Sequence, residues 1–273
     1  MGKHFLNILI GSAILIAWSI HSEAATIYVR DNYKTIQEAV DHALPGDTII
    51  VKDGEYRENI VISKPLTLKS DKGPDATVVR ASHPAEPVFY VSDVSNAAII
   101  GFTAAGSAVA GIYLNKAGNI EIRDNNTPNN RNGIFLYSST NNVLTNNSSN
   151  SNDLTGIYLE LSHNNTLEKN TANLNNEKGV FLNLSNGNKL LNNIANRNEW
   201  NGITLWASNN NRVEGNEILR NTYGIVESGS SNNTLNGNYT WTNFYIILPI
   251  ILIYVGVLLY WIQRRIFRLI YSE

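Results

Sequence analysis

The sequence predicts an all-β fold: a single-stranded right-handed parallel β-helix with three short strands in each coil of 22–23 residues. The first observation is a glycine-led strand that returns as Gly111-Ile-Tyr-Leu, Gly133-Ile-Phe-Leu, Gly156-Ile-Tyr-Leu, Gly179-Val-Phe-Leu, Gly202-Ile-Thr-Leu and Gly224-Ile-Val-Glu, in steps of 22, 23, 23, 23 and 22 residues. The second is a motif in the same phase, Asn142-Val-Leu144, Asn165-Thr-Leu167, Asn188-Lys-Leu190, Asn211-Arg-Val213 and Asn233-Thr-Leu235, each followed three residues later by Asn147, Asn170, Asn193, Asn216 and Asn238. A fixed period of this size marks a solenoid whose units bury their apolar faces only against neighbours. The third observation selects the kind. The segments are three to five residues long, alternate with period two, and are separated by Asn, Ser and Gly runs that favour turns and the left-handed backbone region. Leucine-rich repeats would need more leucines at fixed spacing and a helical return.

Taken in order, Lys3, the apolar run Phe5 to Ile20 and the small residues around Ser22-Glu23-Ala24 read as a secretory signal peptide over 1–24, with an uncleaved anchor as the alternative. Thr35-Ile-Gln-Glu38 is a capping box opening a short amphipathic helix that presents Ile36, Ala39, Val40 and Ala43 on one face and ends at Pro45-Gly46. Such a helix can close the bottom of a solenoid. Thr48-Ile-Ile-Val51, Asn59-Ile-Val-Ile62 and Leu66-Thr-Leu68 form the first coils, parted by Asp53-Gly54 and Lys64-Pro65 turns. Through the repeats, Asn147, Asn170, Asn193, Asn216 and Asn238 are expected to turn inward as an amide ladder; solvated turn residues are the alternative. Asn146, Asn183 and Asn232 fall in N-x-S/T sequences, which an Asn-rich chain generates by accident.

The solenoid is expected over 25–242. Phe244 to Ile262 is then an apolar stretch of 19 residues broken only by Pro249 and Gly256, flanked by Tyr239, Trp241, Tyr260 and Trp261 and followed by Arg264, Arg265 and Arg268. It predicts a transmembrane helix over 243–263 with a cytoplasmic basic tail over 264–273. A buried core helix and a sorting signal with a removable tail are the competing readings. The last strand, at Leu235, leaves no stalk, so the open final coil calls for headgroups, its own Tyr239 and Trp241, or a protein partner to cover it.

Residues 25 to 243 carry 17 Lys plus Arg against 21 Asp plus Glu with no basic stripe, which argues against nucleic acid as a partner. There is no cysteine, and the only methionine is Met1, so disulfides and soft sulfur ligands are excluded. In each repeat the residue after Gly and the later Leu point inward, so positions two and four after Gly face out. They read Tyr113, Phe135, Tyr158, Phe181, Thr204, Val226, and beside them Asn115, Tyr137, Glu160, Asn183, Trp206, Ser228. Aromatic rings flanked by hydrogen-bonding groups suit the apolar faces and hydroxyls of sugars. The ligand-binding candidates are Tyr113, Phe135, Tyr137, Tyr158, Glu160, Phe181, Asn183 and Trp206. The competing reading is that rings at equal heights on adjacent strands simply stabilise the sheet.

The stretch TIQEAVDHALPGDTIIVKDGEYRENIVISKPLTLKS, followed by the NGI-x-L and N-x-L-x-x-N repeats, resembles the pectin-lyase-like superfamily over residues 26 to 240. In particular it is similar to NosD-type β-helix proteins and to the repeats shared by carbohydrate-binding proteins and sugar hydrolases. The resemblance implies two activities. Enzymes of this kind cleave or epimerise acidic polysaccharides with clustered Asp or Glu, often with calcium, plus Arg, Lys or His in a groove along the first sheet. NosD is an accessory factor for the copper centre of an exported reductase.

For the enzyme, acids are scarce: between residues 94 and 243 the only aspartates are Asp124 and Asp153. The acids read as outward on the first-sheet strands are Glu160 and Glu227, about 14 Å apart, too far for a catalytic pair. Glu160 with His163 is the nearest approach to a couple, and no catalytic residue is assigned. For copper, the mature chain offers His42, His83 and His163 on three different segments, so no metal site and no cofactor are assigned. The expected function is a membrane-tethered cell-surface module, ectodomain extracellular or periplasmic, that binds or scaffolds envelope polysaccharide. The alternatives are a NosD-like accessory in copper-enzyme maturation and a polysaccharide lyase, hydrolase or epimerase.

Overall fold

The computed structural model describes residues 24–242, 255 and 257–263. The chain is a parallel β-solenoid of about nine turns. One sheet, the back, has ten strands running from Thr26–Val29 to Thr234–Asn236; a second, the front, has eight, from Ile60–Ile62 to Tyr223–Ser228. Every pairing in both is parallel, and the register carries one repeat onto the next: Tyr113 pairs with Phe135, Phe135 with Tyr158, Tyr158 with Phe181 and Phe181 with Thr204.

The third side departs from three full strands per coil. It begins as Gly54–Arg57, Thr77–Arg80 and Thr103–Ala105 and ends as Glu217–Asn221 paired with Tyr239–Thr242. Between them it shrinks to single-residue bridges through Asn126, Ser148, Thr171 and Ile194. The cause is the closeness of two corners. Asn146 (φ 55°) and Ser151 (φ 56°) both take the left-handed conformation, and Asn147 and Asn152 turn into the interior just after them, so little extended chain remains.

The core is a set of columns. Ile112, Ile134, Ile157, Val180 and Ile203 form one, Leu114, Leu136, Leu159, Leu182 and Leu205 a second, and Ile122, Leu144, Leu167, Leu190 and Val213 a third on the back, all fully buried. Each is worth about 1.5–3 kcal/mol relative to exposure. The recurring glycines lie at the inner corner, where a Cβ on Gly179 would meet Gly202 O at 2.6 Å, Ala195 Cβ at 2.8 Å and Asn198 Nδ2 at 2.8 Å. Close packing, not φ, requires them.

The inward asparagines form the expected ladder. Asn170 Oδ1 accepts from the Asn147 backbone N–H (3.0 Å) and Asn147 Nδ2 (2.9 Å), while Asn170 Nδ2 donates to Leu144 O (2.8 Å) and Asn193 Oδ1 (3.0 Å). Two more ladders repeat this geometry, through Asn142, Asn165, Asn188, Asn211, Asn233 and through Asn130, Asn152, Asn175, Asn198, Asn221. A serine column (Ser139, Ser162, Ser185, Ser208, Ser230) accepts backbone N–H groups in the same way. Among the described residues no buried side-chain nitrogen or oxygen lacks a hydrogen-bond partner.

The N-terminal end is closed by the helix Ile36–His42, which buries Ile36, Ala39 and Val40. Thr35 Oγ1 accepts from Glu38 N–H (3.1 Å), and the Glu38 carboxylate returns to Lys34 N–H (3.1 Å). Glu58, from the first coil, accepts from Ile36 and Gln37 N–H at 3.0 and 2.9 Å, fastening the helix through its free N-terminal donors. At the other end Val255 and residues 257–263 are helical, and among the described residues no helix is long and apolar enough to cross a membrane. Apart from those positions and Ala24, the signal peptide, transmembrane helix and basic tail expected from sequence lie outside the described residues.

Candidate functional site

The front sheet presents the outward columns in the expected register. Ring centroids of Tyr113 and Phe135 are 4.7 Å apart, Phe135 and Tyr158 4.7 Å, Tyr158 and Phe181 4.9 Å, with planes within 10° of parallel. Tyr90, one coil earlier, extends the column with a tilted contact at 5.4 Å, and the Lys178 ammonium lies 4.9 Å over Phe181 at the other end. Rings stacked at the coil spacing cover one another's faces. What this column offers outward is therefore ring edges and phenol hydroxyls, not the open faces on which a sugar would stack.

The second column flanks it. Tyr137 meets Phe135 edge-on at 6.5 Å. Asn115 Nδ2 donates to Tyr90 Oη at 2.9 Å, and Asn183 Nδ2 reaches Tyr158 Oη (3.4 Å) and Glu160 Oε1 (3.5 Å). Burial pushes the Tyr158 phenol up to about 12, with the Glu160 carboxylate adding to it and the Asn183 amide opposing it. Tyr113 is raised by burial and then by Tyr90, Tyr137 and Glu160. Both hydroxyls are thus protonated donors at neutral pH. Trp206 stands apart, 55% exposed.

Glu227 is not outward. It pairs with Leu205, in the column that holds leucine in every earlier repeat, and it reaches solvent because it stands in the last front strand; its Oε1 accepts from Asn233 Nδ2 at 2.7 Å. Glu160 is left as the acid of the outward columns. His163 turns to the adjoining corner, where its Nδ1 accepts from Asn186 N–H at 3.0 Å and continues a turn column through Asn186 and Asn209. That bond ties the imidazole to the turn.

Beside the ring column runs a groove. One cleft of about 400 Å³ is lined by Arg131, Phe135, Tyr158, Glu160, Glu177 and Phe181, among others. A second, of about 440 Å³, includes Asn59, Glu86, Tyr90 and Tyr113, and Val109 belongs to both. Strand alternation does not mark Arg131, Glu177 and Lys178. They stand one or two places before the repeating glycine, so the same period carries the row Val109, Arg131, Leu154, Glu177, Trp200, Thr222 along the wall. Lys178 bonds to Glu177 at 2.9 Å and lies between the rings of Phe181 and Trp200. Past it opens a third cleft, of about 540 Å³, lined by Trp200, Asn201, Thr222, Tyr223 and Val226.

The donor set for a metal is poor. His42 Nδ1 is bonded to Glu38 O and its ring stacks on Tyr33, and His83 is tied to Ser82. Among the described residues no three or more His, Cys, Asp or Glu come together as a metal site.

The family model described as periplasmic copper-binding protein (NosD) matches residues 40–247. Curated protein sequences give no match. Among solved structures, pectate lyase Pel9A is similar with a TM-score of 0.61 and 16% identity, over 80% of this chain and 74% of that one. The catalytic domain of a GH87 α-1,3-glucanase is similar with a TM-score of 0.60 and 15% identity, over 80% of this chain and 45% of that one. The periplasmic alginate epimerase AlgG is similar with a TM-score of 0.52 and 16% identity, over 79% and 85%. At these identities the likeness is one of fold.

Proposed function

The chain belongs to the NosD family, and from that premise we propose that it is an exported right-handed β-helix, tethered by its C-terminal apolar segment, whose front groove binds or scaffolds envelope polysaccharide. The observation that carries the reading is the pair of adjoining clefts that share Val109 along the ring column. It offers phenol hydroxyls and ring edges together with Arg131, Glu160 and Glu177. Such a mixture of apolar wall and few convergent polar groups suits a polyhydroxylated chain lying along the solenoid axis.

The test is retention on envelope polysaccharide of the full chain against the double variant Arg131→Ala, Glu160→Ala, which leaves the ring column intact. At least a tenfold loss of retention is expected; equal retention removes the reading. A lyase or epimerase is the lesser reading. The acids of the cleft do not form a catalytic pair: Glu177 is engaged by Lys178, and Glu160 stands in the column beyond the rings.

Family membership supports a second reading, an accessory in the maturation of an exported copper enzyme. The residues do not fit copper: thiolate and thioether donors are lacking apart from Met1, and the described imidazoles are dispersed and engaged. In that role the solenoid acts as a scaffold for another protein, and no step passes through a metal held here. Co-purification of an exported copper enzyme with this chain, undiminished by His42→Ala, His83→Ala and His163→Ala together, is the expected result.

A further inference from the structure

The front groove ends at Lys178. Its ammonium lies 4.9 Å from the Phe181 centroid and 4.8 Å from that of Trp200, and it is paired with Glu177. Lys178 belongs to the coil before Trp200, whereas the third cleft is formed by Trp200 with residues of the following coil. The side of the indole that Lys178 leaves free therefore looks onto that cleft. Trp200 is 53% exposed and Tyr223, also in the lining, 61%. Val226, Asn201 and Thr222 complete the lining; Asn201 Nδ2 donates to Thr204 Oγ1 and Thr222 Oγ1 to Glu199 O, which leaves Asn201 Oδ1 and the hydroxyl's lone pairs as acceptors for a ligand. None of the five lining residues carries a charge, in contrast to the cleft around Arg131, Glu160 and Glu177.

We propose that the Trp200–Tyr223 cleft is a separate binding site for a neutral sugar residue, walled by two exposed aromatic rings and fixed by Asn201 and Thr222. An aliphatic ligand would give the acceptor oxygens of Asn201 and Thr222 no donor, and an anionic sugar would find no counter-charge in the lining. An uncharged pyranose uses both features, its C–H face on a ring and its hydroxyls on the polar groups. The site deepens the glycan reading by naming its class of ligand, and it rests on that reading for that reason.

The test titrates the purified full chain with cellohexaose, laminarihexaose and nigerohexaose as neutral probes and with hexagalacturonate as the acidic one, following heat and indole emission. At least one neutral hexaose is expected to bind and to shift indole emission. Tyr223→Ala weakens that binding about tenfold or more, as loss of an aromatic anchor does. Tyr223→Phe, which keeps the ring, stays within about threefold. Trp200→Ala also removes a partner of Lys178, so Tyr223→Ala, at a more exposed position, is the decisive variant. Failure of all three neutral probes to bind, or equal binding by Tyr223→Ala, overturns the proposal. Should polysaccharide retention depend on Arg131 and Glu160 and not on Tyr223, the groove stands and this cleft falls; the reverse pattern removes the groove and keeps the cleft.

Discussion

From Tyr113 to Phe181 the outward rings of successive coils lie face to face, whereas Trp200, Trp206 and Tyr223, one and two coils later, stand apart with more than half their surface exposed. The backbone is the same in both regions and the register is unbroken from Phe181 to Thr204 to Val226. What changes is one side chain per coil. Thr204 takes the place of a ring, is buried, and accepts from Asn201 Nδ2 at 2.9 Å. The stack stops there, and the aromatics that follow, Trp200, Trp206 and Tyr223, are carried at other positions and stay more than half exposed, with only the Lys178 ammonium lying over Trp200 among the ring contacts described. The interior changes at the same place, with Glu227 below Leu205 where a leucine would continue the core. In the middle coils an aromatic ring supports the fold; at the C-terminal end it is left exposed.

The largest difference between the two regions lies in the ladders. Asn170→Ala strips the Asn147 N–H and amide of their acceptor and leaves Leu144 O and Asn193 Oδ1 short of a donor, all of them buried. At about 1–3 kcal/mol for each group left unsatisfied, a loss of about 3–5 kcal/mol is expected. Asn238→Ala ends the same ladder at a half-buried position in a largely exposed coil and costs about 1 kcal/mol, because water replaces the amide. Urea midpoints measure both. Equal losses would mean that the final coil is covered as thoroughly as the middle.

The ladder also shows what could be read from sequence. The series from Asn147 to Asn238 is visible because it follows the core leucine of the back sheet at a fixed distance in every coil. The series from Asn142 and Asn130 keep the same period, yet sequence does not separate an inward amide from a solvated turn residue until the corners between them are placed. Ser139 and its successors are hidden for the same reason. At the site, Tyr113, Phe135, Tyr158, Phe181 and their neighbours follow from period-two alternation. That the rings cover each other's faces does not, because side-chain torsions decide it. The wall of Arg131, Glu177 and Trp200 lies before the glycine, at the end of a turn, where alternation carries no information. Glu227 follows from the register, three places after Gly224, as an inward residue.

Truncating the rings comes next in size. Tyr158→Ala removes two stacked neighbours and their burial, with an expected loss of about 2 kcal/mol. Tyr223→Ala is expected to cost under about 0.5 kcal/mol, as at ordinary surface sites. A large loss for Tyr223 would place that ring among the supports of the fold and break the contrast.

Alkaline titration gives a smaller effect. Tyr158 keeps its proton to about pH 12 in the folded chain, against roughly 10 for an ordinary tyrosine. A phenol raised in the folded state contributes stability that is intact below pH 10. That contribution is lost between about 10 and 12, since the unfolded chain gives up its proton first. Tyr158→Phe should flatten the fall of stability over this window and remove the latest component of tyrosinate absorbance.

The smallest expected effect concerns one corner that both regions share. Leu184 (φ 50°) and Gly229 (φ 62°) occupy equivalent positions two coils apart, both in the left-handed conformation. A leucine there costs about 1–2 kcal/mol of backbone strain, and Leu184, nearly half exposed, recovers little of it by burial. Asparagine tolerates this conformation and already holds the neighbouring corner as Asn141 and Asn164. Leu184→Asn is therefore expected to stabilise the middle coils by about 0.5–1 kcal/mol. Gly229→Ala, which has room for its Cβ since the nearest atoms are 3.9 Å away, should destabilise the last coil by about the same amount through backbone strain alone. Opposite signs in paired urea midpoints would show that the corner conformation, common to all coils, is independent of the aromatic change that separates them. If Leu184→Asn instead weakens the protein, the exposed leucines at these corners contribute packing that offsets their strain, and the middle coils owe part of their stability to their outer surface.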